Sequence, residues 1–306
     1  MMRSFCFGVI LVCLSMSPVR AVAQSEDMRT ANVPRGVVAF HVLGGGSETP
    51  LLLINGGPGL DHRYLHWAPV WDRLAKERPI VFFDQPGTGQ TYPIGPSDTV
   101  TVRDVLEAMR AVQSALRRER IAILGHSWGG YLAIAFALEY PDATEAVVLV
   151  DAGAPNWTEF NFGPLFPDSL ARGASPASDP DGAWKDLRRQ FAMSFYSPSM
   201  RQVMTRDFPR VPMNRRQRTL LIADASAHDL WSRLGEIRAP VLVGTGRFDA
   251  NVAPRTAWRI HQAIPKSGFF VWERSGHYPM IEEPDEFVAV ISRFLNEAAH
   301  AASAVR

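Results

Sequence analysis

Cysteine is almost absent from this chain. Of its 306 residues only Cys6 and Cys13 are cysteines, and both lie near the N-terminus. The remainder of the sequence therefore contains no disulfide framework and no cysteine-ligated metal site. Such a chain can fold in an oxidising compartment without depending on disulfide bonds.

An excess of charge of one sign is also absent. The 32 lysines and arginines nearly balance the 31 aspartates and glutamates, for a formal net charge of +1. Nucleic-acid-binding domains concentrate positive charge, so we expect no nucleic acid partner. Hydrophobic residues make up 46% of the chain and charged residues 21%. These values and this length are typical of a globular protein with one large core.

The apolar run near the N-terminus, Phe5–Leu14, is too short to cross a bilayer as a helix, which needs about 20 residues. Arg3 precedes the run, and an Ala-Val-Ala sequence at 21–23 matches the pattern that precedes signal cleavage. We therefore predict a signal peptide over residues 1–23 and a mature chain that begins at Gln24. This removes two arginines and no acid, which leaves a formal charge of −1. The mature protein is expected to be secreted or periplasmic and not to contact a membrane.

Short apolar runs recur along the chain and predict strands that are buried on both faces of a mostly parallel sheet. They are Val37–Val42, Leu51–Ile54, Ile80–Phe83, Ile121–Leu124, Ala146–Val150, Val241–Val243 and Phe269–Trp272. Helix-like stretches separate them: Trp67–Lys76, Val102–Arg118, Tyr131–Glu139, Trp258–Ile264 and Asp285–Ala299. Thr101 and Asp104 form a capping signature before the second of these helices. This alternation predicts an α/β fold with helices on both faces of the sheet.

One region breaks the alternation. Between Ala152 and Gly235 no strand-like run occurs, and helical patterns cover Ala183–Phe195, Ser199–Arg206 and Arg216–Leu234. The sheet resumes after this region, which predicts a helical cap inserted into the core. The domain organisation is then a first part of the core at 24–151, a cap at 152–235 and a second part of the core at 236–306.

The most informative motif is Gly-His-Ser-Trp-Gly, with Ser127 at its centre. An apolar run ends at the motif and a helix-like run begins directly after it. A strand that turns sharply into a helix exposes the serine hydroxyl and predicts a nucleophile. The start of the helix, at Trp128, offers an unpaired backbone N–H where an oxyanion would form.

A serine nucleophile needs a base, and the base needs an acid to hold its tautomer. His277 follows the last predicted strand, which puts it at the same sheet edge as Ser127. Asp249 follows the strand before that one and completes the order serine, acid, histidine. Asp151, directly after Ala146–Val150, is the competing acid. His126 is assigned a packing role.

The loop Asn55-Gly56-Gly57-Pro58-Gly59 follows an early strand and predicts the second oxyanion donor. Pro58 has no N–H, so Gly57 is the predicted donor beside Trp128. The alternative is a plain glycine-rich turn. Asp84 also ends a strand, but the tight turn after it predicts a structural carboxylate that bonds loop amides.

Together these segments resemble the α/β-hydrolase fold, and more narrowly its proline iminopeptidase branch. The loop at 55–59 is similar to that family's His-Gly-Gly-Pro-Gly, with Asn55 in place of the histidine. The segment 84–91 resembles its Asp-Gln-Arg-Gly motif, with Pro86 in place of the arginine. The serine motif, including Trp128, also fits. The resemblance implies a serine hydrolase with a cap, and it covers most of the mature chain outside the cap.

The cap bears on the substrate. In the proline iminopeptidase family, carboxylates from the cap hold the free amino group of the substrate, and in this chain Glu159 and Asp224 are the candidate residues. The cap at 152–235 has eleven lysines and arginines against eight acids, which favours a neutral or anionic substrate over an ammonium group.

The sequence thus predicts a serine hydrolase that needs no metal and no organic cofactor. Its substrate is a small molecule or a short peptide. The first hypothesis is a proline iminopeptidase-like aminopeptidase, and the alternative is a carboxylesterase or lactonase that acts on small esters. A non-catalytic binding module on a hydrolase scaffold is the remote alternative. The sequence leaves the oligomeric state open.

Overall fold

The computed structural model describes residues 27–159, 185, 188–189, 191–207 and 210–304. Its centre is an eight-stranded sheet in the order β1-β2-β4-β3-β5-β6-β7-β8. The strands are β1 Asp27–Val33, β2 Gly36–Leu43, β3 Leu51–Ile54, β4 Ile80–Phe83, β5 Ile121–His126, β6 Thr144–Val150, β7 Val241–Gly246 and β8 Gly268–Trp272. All seven predicted strands are confirmed, within a few residues at their ends.

The first strand, β1, was not predicted. It pairs only with β2, and the pairing is antiparallel. Its first four residues are exposed. Its sequence is therefore mostly polar and lacks the apolar run that identifies a central strand. The strands from β3 onward pair in parallel, while β2 pairs antiparallel with both β1 and β4.

Helices connect the parallel strands. They are α1 Arg63–His66, α2 Val70–Leu74, α3 Val102–Ala115, α4 Trp128–Glu139, α5 Pro198–Asp207, α6 Arg215–Ser226, α7 Pro254–Ala263, α8 Pro279–Glu282 and α9 Pro284–Ala304. The predicted capping box is present at the start of α3, where the Thr101 side chain accepts from the Asp104 amide and the Asp104 side chain accepts from the Thr101 amide. None of the helices among these residues combines the length and apolar character that crossing a bilayer requires.

The apolar side chains of the sheet divide into two cores, one on each face. In β3, Leu52 and Ile54 belong to the core that α3 and α4 cover, while Leu51 and Leu53 belong to the core that α2 and α9 cover. This alternation follows from the two-residue period of a strand. The fold is an α/β-hydrolase fold, with helices on both faces of a mostly parallel sheet.

Between β6 and β7 the described residues contain α5, α6 and two 3-10 helices, Trp157–Glu159 and Trp231–Glu236, and no named strand. The helical character predicted for this region is therefore present in its described part, and the described residues of the helix predicted over Ala183–Phe195 are helical at 185, 188, 189 and 191–193. The boundaries of the cap at 152 and 235 stay a prediction. The predicted signal peptide lies outside the described residues.

Candidate active site

Ser127 occupies a strained turn between β5 and α4. Its backbone has φ 56° and ψ −119°, a conformation that is costly for a residue with a side chain. The close packing of the turn requires glycine nearby, because a Cβ on Gly129 would lie 2.0 Å from the carbonyl oxygen of Ile54. The serine is 8% exposed. The geometry is that of a nucleophile elbow.

Backbone hydrogen bonds hold the elbow against the end of β6. The Ser127 N–H donates to the carbonyl of Val150 at 3.1 Å. The Ser127 carbonyl accepts from Gly130 at 2.9 Å and from Gly153 at 2.8 Å. Because these bonds fix both sides of Ser127, the strained dihedral angles persist in the folded protein.

The structure brings Asp249 and His277 together. The Nδ1 atom of His277 lies 2.7 Å from Oδ2 of Asp249, and both residues are buried. The other carboxylate oxygen of Asp249 accepts from the backbone N–H groups of Asn251 at 2.7 Å and Val252 at 3.0 Å. An ionised Asp249 therefore keeps the proton of a neutral His277 on Nδ1, which leaves Nε2 free to accept a proton from a serine.

His277 is also held through its backbone. Its N–H donates to the carbonyl of Ser194 at 2.8 Å, and its carbonyl is 2.7 Å from Nε2 of His126. A carbonyl can only accept, so His126 carries its proton on Nε2. Burial, with a smaller effect from His277, lowers the pKa of His126 well below its usual value, and the ring is neutral. His126 thus holds the backbone of His277, a more specific contact than the packing role that the sequence predicts.

The glycine-rich loop lies directly against Ser127. A Cβ on Gly56 would lie 3.1 Å from Cβ of Ser127, so glycine allows this approach without displacing Ser127. A chain of side-chain hydrogen bonds joins the loop to the elbow. The indole N–H of Trp128 donates to Gln85 at 3.1 Å, and Gln85 donates to Oδ1 of Asn55 at 3.2 Å. Asn55 in turn donates to the carbonyls of Gly56 and Leu60.

The two predicted oxyanion donors belong to these two segments. Trp128 is the first residue of α4, and the backbone N–H at that position has no acceptor within the helix. Gly57 has φ 133°, which a residue with a side chain rarely adopts. Gly57 also accepts a hydrogen bond on its carbonyl, from a residue that the sequence did not single out, Arg218.

Arg218 extends from α6 to the glycine-rich loop. Its Nη1 donates to the carbonyl of Gly57 at 3.1 Å and lies 3.5 Å from that of Pro58. In the described part of the chain no carboxylate pairs with this side chain, and burial alone lowers the pKa of its guanidinium. A partly buried cation without a counter-ion is costly, and it favours anions in its surroundings. The cap contains several arginines, and nothing in the sequence distinguishes Arg218 from the others.

Of the two candidate amine anchors, the structure describes the side chain of Asp224 and not that of Glu159. Glu159 ends the 3-10 helix Trp157–Glu159, and its side chain lies outside the described part. Asp224, on α6, accepts from the backbone N–H of Val102 at 2.8 Å. Its carboxylate thus caps the N-terminus of α3, where a negative charge is favourable. The role of either residue as an amine anchor stays a prediction.

Asp84 holds loop segments together, which is the structural role that the tight turn after it predicts. It accepts from the amide of Gln90 at 2.9 Å, from the amide of His62 at 3.1 Å, and contacts Nδ1 of His62 at 2.7 Å. Burial opposes ionisation of this carboxyl group. The hydrogen bond and charge of His62, together with the backbone amides, outweigh the effect of burial. The pKa of Asp84 is consequently lowered.

Two groups of side chains in the described residues bring three candidate metal-ligand atoms within 4.8 Å of one another. They are His41, His62 and Asp84, and His126, Asp151 and His277. In the first group His62 Nδ1 is bonded to Asp84, and in the second His277 Nδ1 is bonded to Asp249. These hydrogen bonds account for Nδ1 of His62 and of His277, and we assign neither group to a metal.

Comparison with known proteins gives the same fold class as the structure. Residues 49–284 match the family model for the alpha/beta hydrolase fold, and the chain belongs to that family. Within it the chain is similar to proline iminopeptidases. The proline iminopeptidase of Heyndrickxia coagulans is 30% identical over 286 residues, which cover 87% of this chain and 97% of that protein. That of Clostridioides difficile strain 630 is 26% identical, over 84% of this chain and 94% of the relative.

Solved structures show the same fold at lower identity. An alpha/beta fold family hydrolase from Bacillus anthracis superimposes with a TM-score of 0.73 at 18% identity, covering 89% of this chain and 99% of that one. The enol-lactonase from Burkholderia xenovorans superimposes with a TM-score of 0.69 at 21% identity, covering 88% and 100%. The chain is therefore a hydrolase of the α/β fold, similar to proline iminopeptidases.

Proposed function

We propose that this protein is a serine hydrolase that cleaves an amide or ester through an acyl-enzyme. His277 takes the proton of the Ser127 hydroxyl as Ser127 attacks the substrate carbonyl. The N–H groups of Gly57 and Trp128 stabilise the tetrahedral oxyanion, and His277 then protonates the leaving group. Water activated by His277 hydrolyses the acyl-enzyme. The observation that carries this proposal is the buried Asp249–His277 pair, 2.7 Å apart, at the sheet edge where the strained Ser127 also lies.

For the substrate, the first proposal is an N-terminal residue, proline especially, of a short peptide. The similarity to proline iminopeptidases over most of the chain supports it. This activity requires an acceptor for the free amino group of the substrate. Glu159 is the stronger candidate of the two acids, because the Asp224 carboxylate already accepts from the amide of Val102.

A second candidate is the hydrolysis of small carboxylic esters or lactones. The observation that favours it is the guanidinium of Arg218, which reaches Gly57 and has no carboxylate partner among the described residues. A positive charge beside the glycine-rich loop repels an ammonium group, attracts an anionic substrate and is compatible with a neutral one. Esterases and an enol-lactonase are among the solved structures of this fold that resemble the chain.

Two chromogenic substrates separate these candidates: prolyl-p-nitroanilide with a free amine, and p-nitrophenyl butyrate. A kcat/KM that strongly favours the prolyl amide supports the peptidase, and turnover of the ester alone supports the second candidate. S127A is the control and is expected to fold normally without turnover. In the peptidase, E159Q raises KM for the prolyl amide and leaves ester hydrolysis nearly unchanged.

We also propose that the protein is exported. The support is the sequence of the first 23 residues, with its basic start, short apolar run and small residues at 21 and 23. N-terminal sequencing of the protein from the periplasm or culture medium is expected to start at Gln24. Recovery of the uncleaved chain from the cytoplasm would contradict export.

A further inference from the structure

Asp151 is a buried carboxyl group beside the proposed triad that the mechanism does not use. It follows β6, is fully buried, and has φ 47°, a strained conformation for a residue with a side chain. Its backbone N–H donates to the carbonyl of Gly244 at 3.0 Å. Its neighbours Val150 and Gly153 are the residues that hold the backbone of Ser127. The position of Asp151 is thus fixed by the same contacts that form the elbow.

The two oxygens of Asp151 have different surroundings. Oδ1 accepts from the backbone N–H of Gly246 at 2.8 Å and from the hydroxyl of Thr245 at 3.1 Å. Oδ2 is buried and receives no hydrogen bond from any described residue. An ionised carboxylate with one oxygen buried and unbonded is strongly disfavoured. The surroundings of Oδ2 therefore suit a carboxylic acid, whose hydroxyl can donate.

Asp249 can accept from such a hydroxyl, because its carboxyl group interacts with that of Asp151 through a side-chain hydrogen bond and through charge. Two buried carboxyl groups in contact do not both ionise. Asp249 receives two backbone N–H donors and the His277 ring, so the negative charge belongs to Asp249. Burial and then the charge of Asp249 raise the pKa of Asp151 well above its usual value, in agreement with this assignment.

Among the residues that the structure describes, no other group near Asp151 supplies a compensating positive charge. His126, from β5, is neutral because burial lowers its pKa. Tyr64 and Tyr278 are buried, and burial raises the pKa of both hydroxyls, so neither ionises near neutral pH. Thr245 is uncharged. His277 is the one remaining group, and its Nδ1 proton is directed at Asp249.

We propose that Asp151 is an uncharged carboxylic acid in the resting enzyme, and that its Oδ2 hydroxyl donates a hydrogen bond to the Asp249 carboxylate. Asp151 is then a positioning residue that acts on His277 through Asp249. The bond orients Asp249 toward His277 and draws negative charge away from the side that faces the ring. Loss of the bond would therefore leave more negative charge beside the ring and favour its protonated form.

This inference rests on the proposed function, and two variants test it through the pH profile of kcat/KM. D151N keeps a donor toward Asp249 and acceptors for Gly246 and Thr245, and its acidic limb is expected to stay where it is in the wild type. D151V loses the donor, so its acidic limb is expected to move to higher pH. If Asp151 were ionised, D151N would remove a negative charge near His277 and the limb would move to lower pH. That result would overturn the proposal.

A second measurement needs neither turnover nor a substitution. In infrared spectra at neutral pH, wild-type protein with carbon-13 in the aspartate side chains is compared with unlabelled protein. A protonated-carboxyl C=O band that shifts on labelling is expected, and its absence would refute a protonated Asp151. D151N, where it folds, is expected to lack this band. The band appears whether or not the enzyme turns over a substrate. Its absence would therefore refute the protonated Asp151 without bearing on the proposed function, which S127A tests.

Discussion

Nδ1 of His277 lies 2.7 Å from Oδ2 of Asp249, in a site where the two residues are 2% and 5% exposed. At this depth the orientation of the imidazole depends on the carboxylate, because little water is available to replace it. The amides of Asn251 and Val252 hold the other oxygen of Asp249, which fixes the carboxylate plane. This pair sets the tautomer that the proposed mechanism needs.

D249N is the variant that tests this dependence. It places an amide opposite Nδ1 and favours the wrong tautomer of His277, so kcat is expected to fall by about 10⁴ while KM changes little. D285N is the matched control, since Asp285 is exposed at the start of α9 and pairs with Arg73 on the surface. Steady-state kinetics with the better of the two chromogenic substrates gives the comparison. A D249N enzyme with more than a tenth of wild-type kcat would remove Asp249 from the triad.

The packing of the elbow predicts a large stability difference between two glycine-to-alanine variants. In G129A the new Cβ would lie 2.0 Å from the backbone oxygen of Ile54, which cannot move without breaking the end of β3. We expect a loss of about 3 kcal/mol or more of unfolding free energy, or failure to fold. G235A is the matched control, since nothing lies within 4 Å of its Cβ, and its effect is expected to stay within about 1 kcal/mol. The measurement is denaturant unfolding of both variants. Equal midpoints for G129A and G235A would contradict the prediction.

Much of the fold could be predicted from the sequence, because most strands lie inside the sheet and carry continuous apolar runs. β1 could not, since an exposed edge strand needs no such run. The residues Ser127, Asp249 and His277 could be named because each lies in the segment after a predicted strand, and parallel strands bring their carboxyl ends to one edge.

Contacts between distant segments could not be predicted in the same way. The sequence makes Asp151 and Asp249 competitors for the role of the acid, because it does not show that the two carboxyl groups interact in the fold. The carboxylate of Asp224 caps α3 from 122 residues away, and Arg218 reaches Gly57 from 161 residues away. Neither contact has a local pattern, since each depends on how α6 packs against the core.

The Arg218 contact predicts an effect on catalysis without a loss of fold. R218M removes the donor to the carbonyl of Gly57, and the loop loses a charge-assisted hydrogen bond that helps to hold it beside Ser127. We expect kcat to fall about tenfold, with an unchanged circular dichroism spectrum. R215M, an exposed position on the same helix, serves as the control. Equal kcat for R218M and R215M would show that the loop does not need this contact.

Burial of His66 predicts a pH dependence of stability. Burial, and then the charge of His62, lower the pKa of His66 from 6.5 to about 4. The unfolded chain therefore binds a proton that the folded protein does not, and stability falls as the pH drops from 6.5 toward 4. The contribution of His66 to this decline is roughly 3 kcal/mol.

The measurement is denaturant unfolding of wild type and H66Q between pH 4 and pH 7. H66Q is expected to lose less stability over this range, and the slope is compared because the substitution also changes packing against Phe82. H300Q is the control, at an exposed histidine near the end of α9. Parallel slopes for wild type and H66Q would show that His66 does not titrate in this way.

The central claim is that Ser127 is an activated nucleophile. Its most direct test is reaction of the purified mature protein with a fluorophosphonate probe, followed by peptide mass spectrometry. We expect a single modification on Ser127, absent in S127A and much slower in a variant with His277 replaced by alanine. A folded wild-type protein that is not labelled, or one labelled at a different serine, would contradict the account.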